Sequence, residues 1–161
     1  MNSKSKVTCM AYANLLAAVT PEQVTTFRSD GKNLLRPSHV VSVSHLIGMR
    51  GWVEAQPLQS LLSRALDGGE LLAAWLWHPL RAPVYHTPES VRDLSAALAQ
   101  TWDGILAEYS LPESDWYRVE IGNAVALFSH AAERSEGIVS ILQPPYDAER
   151  ACRVQIPLEP M

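Results

Sequence analysis

The run Ala124-Val125-Ala126-Leu127-Phe128-Ser129-His130-Ala131-Ala132, followed by Gly137 and Ile138-Val139-Ser140-Ile141-Leu142, constrains this chain more than any other. Its first part places apolar residues on one helical face, and Gly137 stops the helix. The segment after the glycine is apolar enough to lie inside a sheet. A helix leading straight into a buried strand calls for layers of helix and sheet that cover each other.

The rest of the chain supplies further elements. Met10 to Val19 is compact, apolar and bounded, which predicts a first buried strand. Thr20-Pro21-Glu22-Gln23 predicts a helix start, because Thr20 can cap and Pro21 lacks only an N–H that would have no partner there. Asp30-Gly31 ends that helix as a turn. Val40, Val41 and Val43 suit a strand, while Ser38 and Leu46-Ile47 suit a helix, and both readings stay open. Pro57 opens a helix with Leu58, Leu61, Leu62, Ala65 and Leu66 on one face, closed by Asp67-Gly68-Gly69. Leu71 to Trp77 is apolar on every side and reads as a buried strand or a short core helix. Pro79 and Pro83 then enforce an extended connection. Thr87-Pro88-Glu89-Ser90 opens a helix striped by Val91, Leu94, Leu98, Trp102, Ile105 and Leu106. Ser114-Asp115 starts the last helix, with Trp116 and Val119 expected to face inward and Gly122-Asn123 as a point of interruption. The expected fold is therefore α+β, a single domain with a small mixed sheet packed against four to five helices. Residues 1–145 form its body and residues 146–161 a tail or edge strand around Val154-Gln155-Ile156.

Composition narrows the function classes. A chain of 161 residues can bury a core without staples. Its 13 Lys and Arg against 17 Asp and Glu, a formal charge of −4, lack the basic excess that nucleic-acid binding uses. Cys9 and Cys152 are too few for a disulfide scaffold and read as reduced thiols, with one long-range bridge as the other option. The Lys4 and Lys6 amino terminus leads into no clean signal sequence, and no window reaches the roughly 18 apolar residues of a membrane span. A cytoplasmic protein is expected.

Chemical motifs are sparse. His39, His45, His78, His86 and His130 form no i, i+4 pair, so no metal site and no cofactor is expected. No serine lies in a nucleophile elbow, and Gly48, Gly51, Gly68 and Gly69 make no phosphate cradle. Glu108, Glu113, Asp115 and Glu120 flank a helix–helix turn, where solvation or pairing with Arg118 accounts for them.

Some segments are similar to a known family. Ala82-Pro83-Val84-Tyr85-His86-Thr87-Pro88-Glu89-Ser90-Val91 with Leu94 and Ala97-Leu98 resembles the middle of the YfbM-like family, small bacterial domains of unknown function. Leu127-Phe128, Ala131-Ala132, Gly137 and Ile138 to Leu142 resemble its closing helix and strand. Met10, Tyr12 and Val19-Thr20-Pro21-Glu22-Gln23 resemble its opening. The family's Trp-His and Leu-His helix has only Ser44-His45-Leu46-Ile47-Gly48 as a counterpart here. The resemblance implies an α+β fold with a small sheet and carries over no catalytic residue.

Two function classes follow as expectations. The first is a non-enzymatic protein-binding domain in a bacterial cytoplasm, with an immunity protein that neutralises a toxin as its concrete form. Its anchors are expected at Arg50, Trp52, Trp77, His78 and Arg81, because exposed tryptophan and arginine dominate interface energetics. The second is a small-ligand binder or hydrolase-type enzyme with a pocket assembled from His45, Tyr85, His86 and Glu120.

Overall fold

The computed structural model describes residues 13–31, 33–44, 56–76, 81–143 and 158–159. Among them run β1 (Ala13–Val19), α1 (Pro21–Asp30), β2 (His39–Ser44), α2 (Gln56–Asp67), β3 (Glu70–Leu71), β4 (Val84–His86), α3 (Pro88–Glu108), α4 (Trp116–Glu133) and β5 (Gly137–Gln143). They make a single small α+β domain. The sheet has the order β2-β1-β5-β4-β3, so the helix–glycine–strand run delivers its last strand to the middle of the sheet. The strand pairings are antiparallel, and parallel pairing is confined to the isolated Leu35–Leu158 bridge.

Local chemistry sets the helix ends. Thr20 Oγ1 accepts from Gln23 N at 3.3 Å, and Thr87 Oγ1 accepts from Ser90 N at 3.3 Å, each ahead of a first-turn proline. Asp115 Oδ1 caps α4 through Tyr117 N at 2.9 Å and Arg118 N at 3.3 Å. Gly31, at φ 70°, closes α1 in the left-handed region that favours glycine. Past α2, Gly69 lies so close to β4 that a Cβ there would sit 2.8 Å from the Tyr85 carbonyl oxygen.

Alternation along the strands sorts side chains to two cores. Leu16, Ala18, Val43 and Ile138 face α2, α3 and α4, where they meet Leu58, Leu62, Leu98, Tyr117, Ile121 and Phe128. Ala17, Val19, Val139 and Ile141 face the other way, covered by Val24 and Phe27 of α1, by Leu72, Ala73 and Leu76, and by Leu35 and Leu158. On the three-helix face α4 lies over β2, and α3 lies between α4 and α2.

The structure settles one open reading and corrects several expectations. Val40 to Val43 is strand, and Leu46-Ile47 lie outside the described residues. The Leu71–Trp77 run is neither a buried strand nor a core helix over its described residues. β3 ends at Leu71, and turns follow in which Leu71 and Trp75 are exposed while Leu72, Ala73 and Leu76 are buried. Trp116 and Val119 face solvent, because α4 turns Tyr117, Ile121, Ala124 and Phe128 to the core instead. Gly122-Asn123 does not interrupt α4. Val154 to Ile156 lie outside the described residues, but Leu158 beyond them is buried in the second core.

Candidate functional site

Buried polar groups gather where α2 ends against the sheet. Asn14, the polar residue within the apolar first strand, is fully buried and donates from Nδ2 to Ser140 Oγ at 3.4 Å and to the Leu66 carbonyl at 3.5 Å. Ser140 Oγ donates to the same carbonyl at 2.6 Å. Arg81 enters from the side, donating from Nη2 to the Leu66 carbonyl at 3.3 Å and to Ser140 Oγ at 3.4 Å, with Nε 3.2 Å from Asp67 Oδ1. One residue earlier the Ala65 carbonyl accepts from His86 Nε2 at 2.9 Å. A helix leaves its last carbonyls without intrahelical partners, and these side chains supply them.

The tautomer of His86 follows from its partners. Ala65 offers only an acceptor, so Nε2 carries the proton and Nδ1 accepts from Ser90 Oγ, 3.3 Å away. Ser90 and His86 line a hollow of about 140 Å³ with Gly68, Gly69 and Thr87. A general base must become an imidazolium, and burial, together with the positive charges of Arg64 and Arg81, lowers the His86 pKa despite its bond to Ala65. The imidazole is therefore held in its neutral form. Of the distant residues expected to form a hydrolase-type pocket, the described ones do not all converge. Glu120 bonds Ser44 N at 2.6 Å beside β2, with β1 and β5 between it and the strand that carries Tyr85 and His86, and His45 lies outside the described residues. Among the described residues no group of three or more His, Cys, Asp or Glu could hold a metal. A groove of about 700 Å³ between the starts of α1 and α3 is lined by Glu22, Glu89, Arg92 and Arg134, two charges of each sign.

The surface over the second core is different in kind. Trp75 is 52% exposed yet held on three sides. Its ring lies 5.1 Å from that of Phe27, its Nε1 donates to the Arg28 carbonyl at 3.4 Å, and its edge rests on Gly31, where a Cβ would stand 2.9 Å from Cη2. Leu71, 56% exposed, stands on the edge strand and points to the other face, opposite Val84. Arg28 ties the two segments together, donating from Nε to the Leu72 carbonyl at 2.7 Å and from Nη2 to the Leu71 carbonyl at 3.0 Å. The same guanidinium pairs with Glu70 at 3.0 Å and lies 5.4 Å from the Tyr85 ring centroid. Burial raises the Tyr85 pKa against the lowering pull of Arg28, so its hydroxyl stays protonated. An indole whose orientation is already fixed loses little freedom on meeting a partner.

Of the anchors expected from sequence, Arg50, Trp52, Trp77 and His78 lie outside the described residues. Arg81 is described and is turned inward to Asp67, Leu66 and Ser140, its pKa lowered by burial and raised by Asp67. Trp75 and Arg28 were not among the expected anchors. No periodicity separates Trp75 from its buried neighbours Leu72 and Leu76. The legible signal was the Asp30-Gly31 turn, which provides the flat backbone on which the indole lies.

Fold and surface together define a small α+β domain with structural polar networks and a fixed aromatic projection. Set against protein-family models, curated proteins and solved structures, the chain finds no match in any of the three. No helix among the described residues is long and apolar enough to cross a membrane.

Proposed function

We propose that this chain is a protein-binding domain of a bacterial cytoplasm, a YfbM-like domain acting as an immunity protein that neutralises a toxin. The observation that carries the reading is Trp75, half exposed and locked by Phe27, the Arg28 carbonyl and Gly31. Large apolar side chains fixed at the surface are what protein interfaces use as anchors. The formal charge of −4 favours a cationic partner.

The test is capture of the partner by the immobilised full chain from extracts of its native host, repeated with Trp75→Ala and, as a control on the other face of the sheet edge, with Leu71→Glu. The proposal expects one species retained by the unaltered chain and by Leu71→Glu and lost by Trp75→Ala. Retention that Trp75→Ala leaves unchanged overturns it. So does turnover of an ester substrate that disappears with Ser90→Ala, which would return the function to the hydrolase class.

A further inference from the structure

β2 is an edge strand with neighbours on one side only among the described residues. The direction of its backbone groups follows from two hydrogen bonds. Ser44 N points away from β1, to Glu120 Oε2 at 2.6 Å, and the Ala18 carbonyl points toward the β2 side, accepting from Ser38 N at 2.9 Å. Because direction alternates along an antiparallel strand, Val43, Val41 and His39 bond to β1. Val40 and Ser42 then present their N–H and C=O groups outward. The strand itself, His39, Val40, Val41, Ser42, Val43 and Ser44, carries no Asp, Glu, Lys or Arg, and among the described residues the Glu120 carboxylate covers the edge at Ser44.

α4 adds a second feature on the same border. It is the helix that lies over β2, with Glu120 beside Ser44 and His130 beside His39, their rings 3.9 Å apart. Trp116, Val119, Asn123 and Ala126 follow a three-four spacing along the outer side of α4, with Trp116 and Val119 exposed. The stripe is large and apolar at its start and small in its middle, level with Val41.

We propose that two copies of this chain pair through β2 and α4 about a two-fold axis at Val41, joining their sheets edge to edge. The register is set by the groups that remain open among the described residues. Centring on Val41 puts Val40 opposite the second copy's Ser42, so the outward groups of both residues find partners in both directions. It also sets Val41 against its own counterpart on the helix face and Val43 against His39. Centring on Ser42 would instead require the Ser44 N–H, which Glu120 has taken. The same axis brings the two α4 helices together at Asn123 and Ala126, whose small side chains permit close approach. Trp116 and Val119 then reach toward the far end of the opposite helix. The occupant is a second copy because the strand's open donors and acceptors match themselves under a two-fold, as an isologous contact requires. This surface borders the sheet edge opposite β3 and Leu71 and does not depend on the partner-binding reading.

Sedimentation of the purified full chain under reducing conditions tests the pairing. Two variants leave the described core intact: Ser42→Pro removes an outward N–H at an exposed edge position, and Ala126→Glu places like charges across the axis. The expected result is a species of twice the chain mass for the unaltered protein and of single mass for each variant. The melting temperature should rise with protein concentration only in the unaltered chain. A chain of single mass at every concentration overturns the proposal, and so does a dimer that survives either substitution in a variant with an unchanged circular dichroism spectrum.

Discussion

Phe128 has no exposed surface, and the helix turns it into the three-helix core with Leu127 and Ala131. Its ring stands 6.0 Å from that of His86, edge to face, so it also closes the pocket in which that imidazole is kept neutral. Removing it leaves a cavity that close-packed neighbours fill only in part. Phe128→Ala is expected to cost about 3–5 kcal/mol, read as the shift of a urea midpoint at constant slope. His86 itself predicts a pH dependence. Its pKa in the folded chain lies below the ordinary value of about 6.5 that it regains on unfolding. As pH falls through that value, the unfolded chain takes up a proton that the folded chain refuses, so stability is present above it and is lost below it. Unfolding midpoints measured between about pH 7.5 and 5 should fall more steeply for the unaltered chain than for His86→Gln. Equal slopes would show that His86 titrates alike in both states.

The helices differ in what secures them. α1 has 10 residues and commits only Val24 and Phe27 to the core, so its cap matters locally. α3 has 21 residues and is held along its length by Val91, Leu94, Leu98, Trp102 and Ile105. Loss of either cap hydroxyl should cost about 1 kcal/mol, but the loss should surface differently. Thr20→Ala is expected to speed amide exchange through α1 as far as Phe27, whereas Thr87→Ala should leave exchange at Leu98 and beyond unchanged relative to global unfolding. Equal protection patterns in the two variants would contradict this. The caps and first-turn prolines were legible because capping is a contract between residues three apart. The Leu71–Leu76 segment was not, since an apolar run without a period carries no information about which side meets the core. Trp116 and Val119 failed for a related reason. α4 carries two stripes at helical spacing, and only the position of α3 decides that Tyr117, Ile121, Ala124 and Phe128 face inward.

At the scale of the molecule the sheet is covered unequally. Three helices cover one face, while α1, the Leu72–Leu76 turns, Leu35 and Leu158 cover the other. The thinner cover is where Trp75 reaches solvent. Trp75→Ala should therefore weaken partner binding by about 2 kcal/mol or more, measured by calorimetry with the captured protein. Leu71→Glu, at an exposed position on the other face of the sheet edge, should leave both the affinity and the melting temperature nearly unchanged. A loss of affinity in Leu71→Glu as large as in Trp75→Ala would place the interface on the sheet edge and not on the indole.

The amino-acid sequence by itself determined the helix starts at Thr20-Pro21, Pro57, Thr87-Pro88 and Asp115. It also determined the buried strand after Gly137 and the α+β class, because each rests on interactions within a few residues of chain. Asn14 could be read as a polar group in an apolar strand, but its partners Ser140 and Leu66 lie 126 and 52 residues away. Only the tertiary structure decided that Arg81 turns inward, that His86 is locked between Ala65 and Ser90, and that Trp75 is fixed at the surface. Each of these depends on which distant backbone group or ring lies alongside, and no local pattern encodes that.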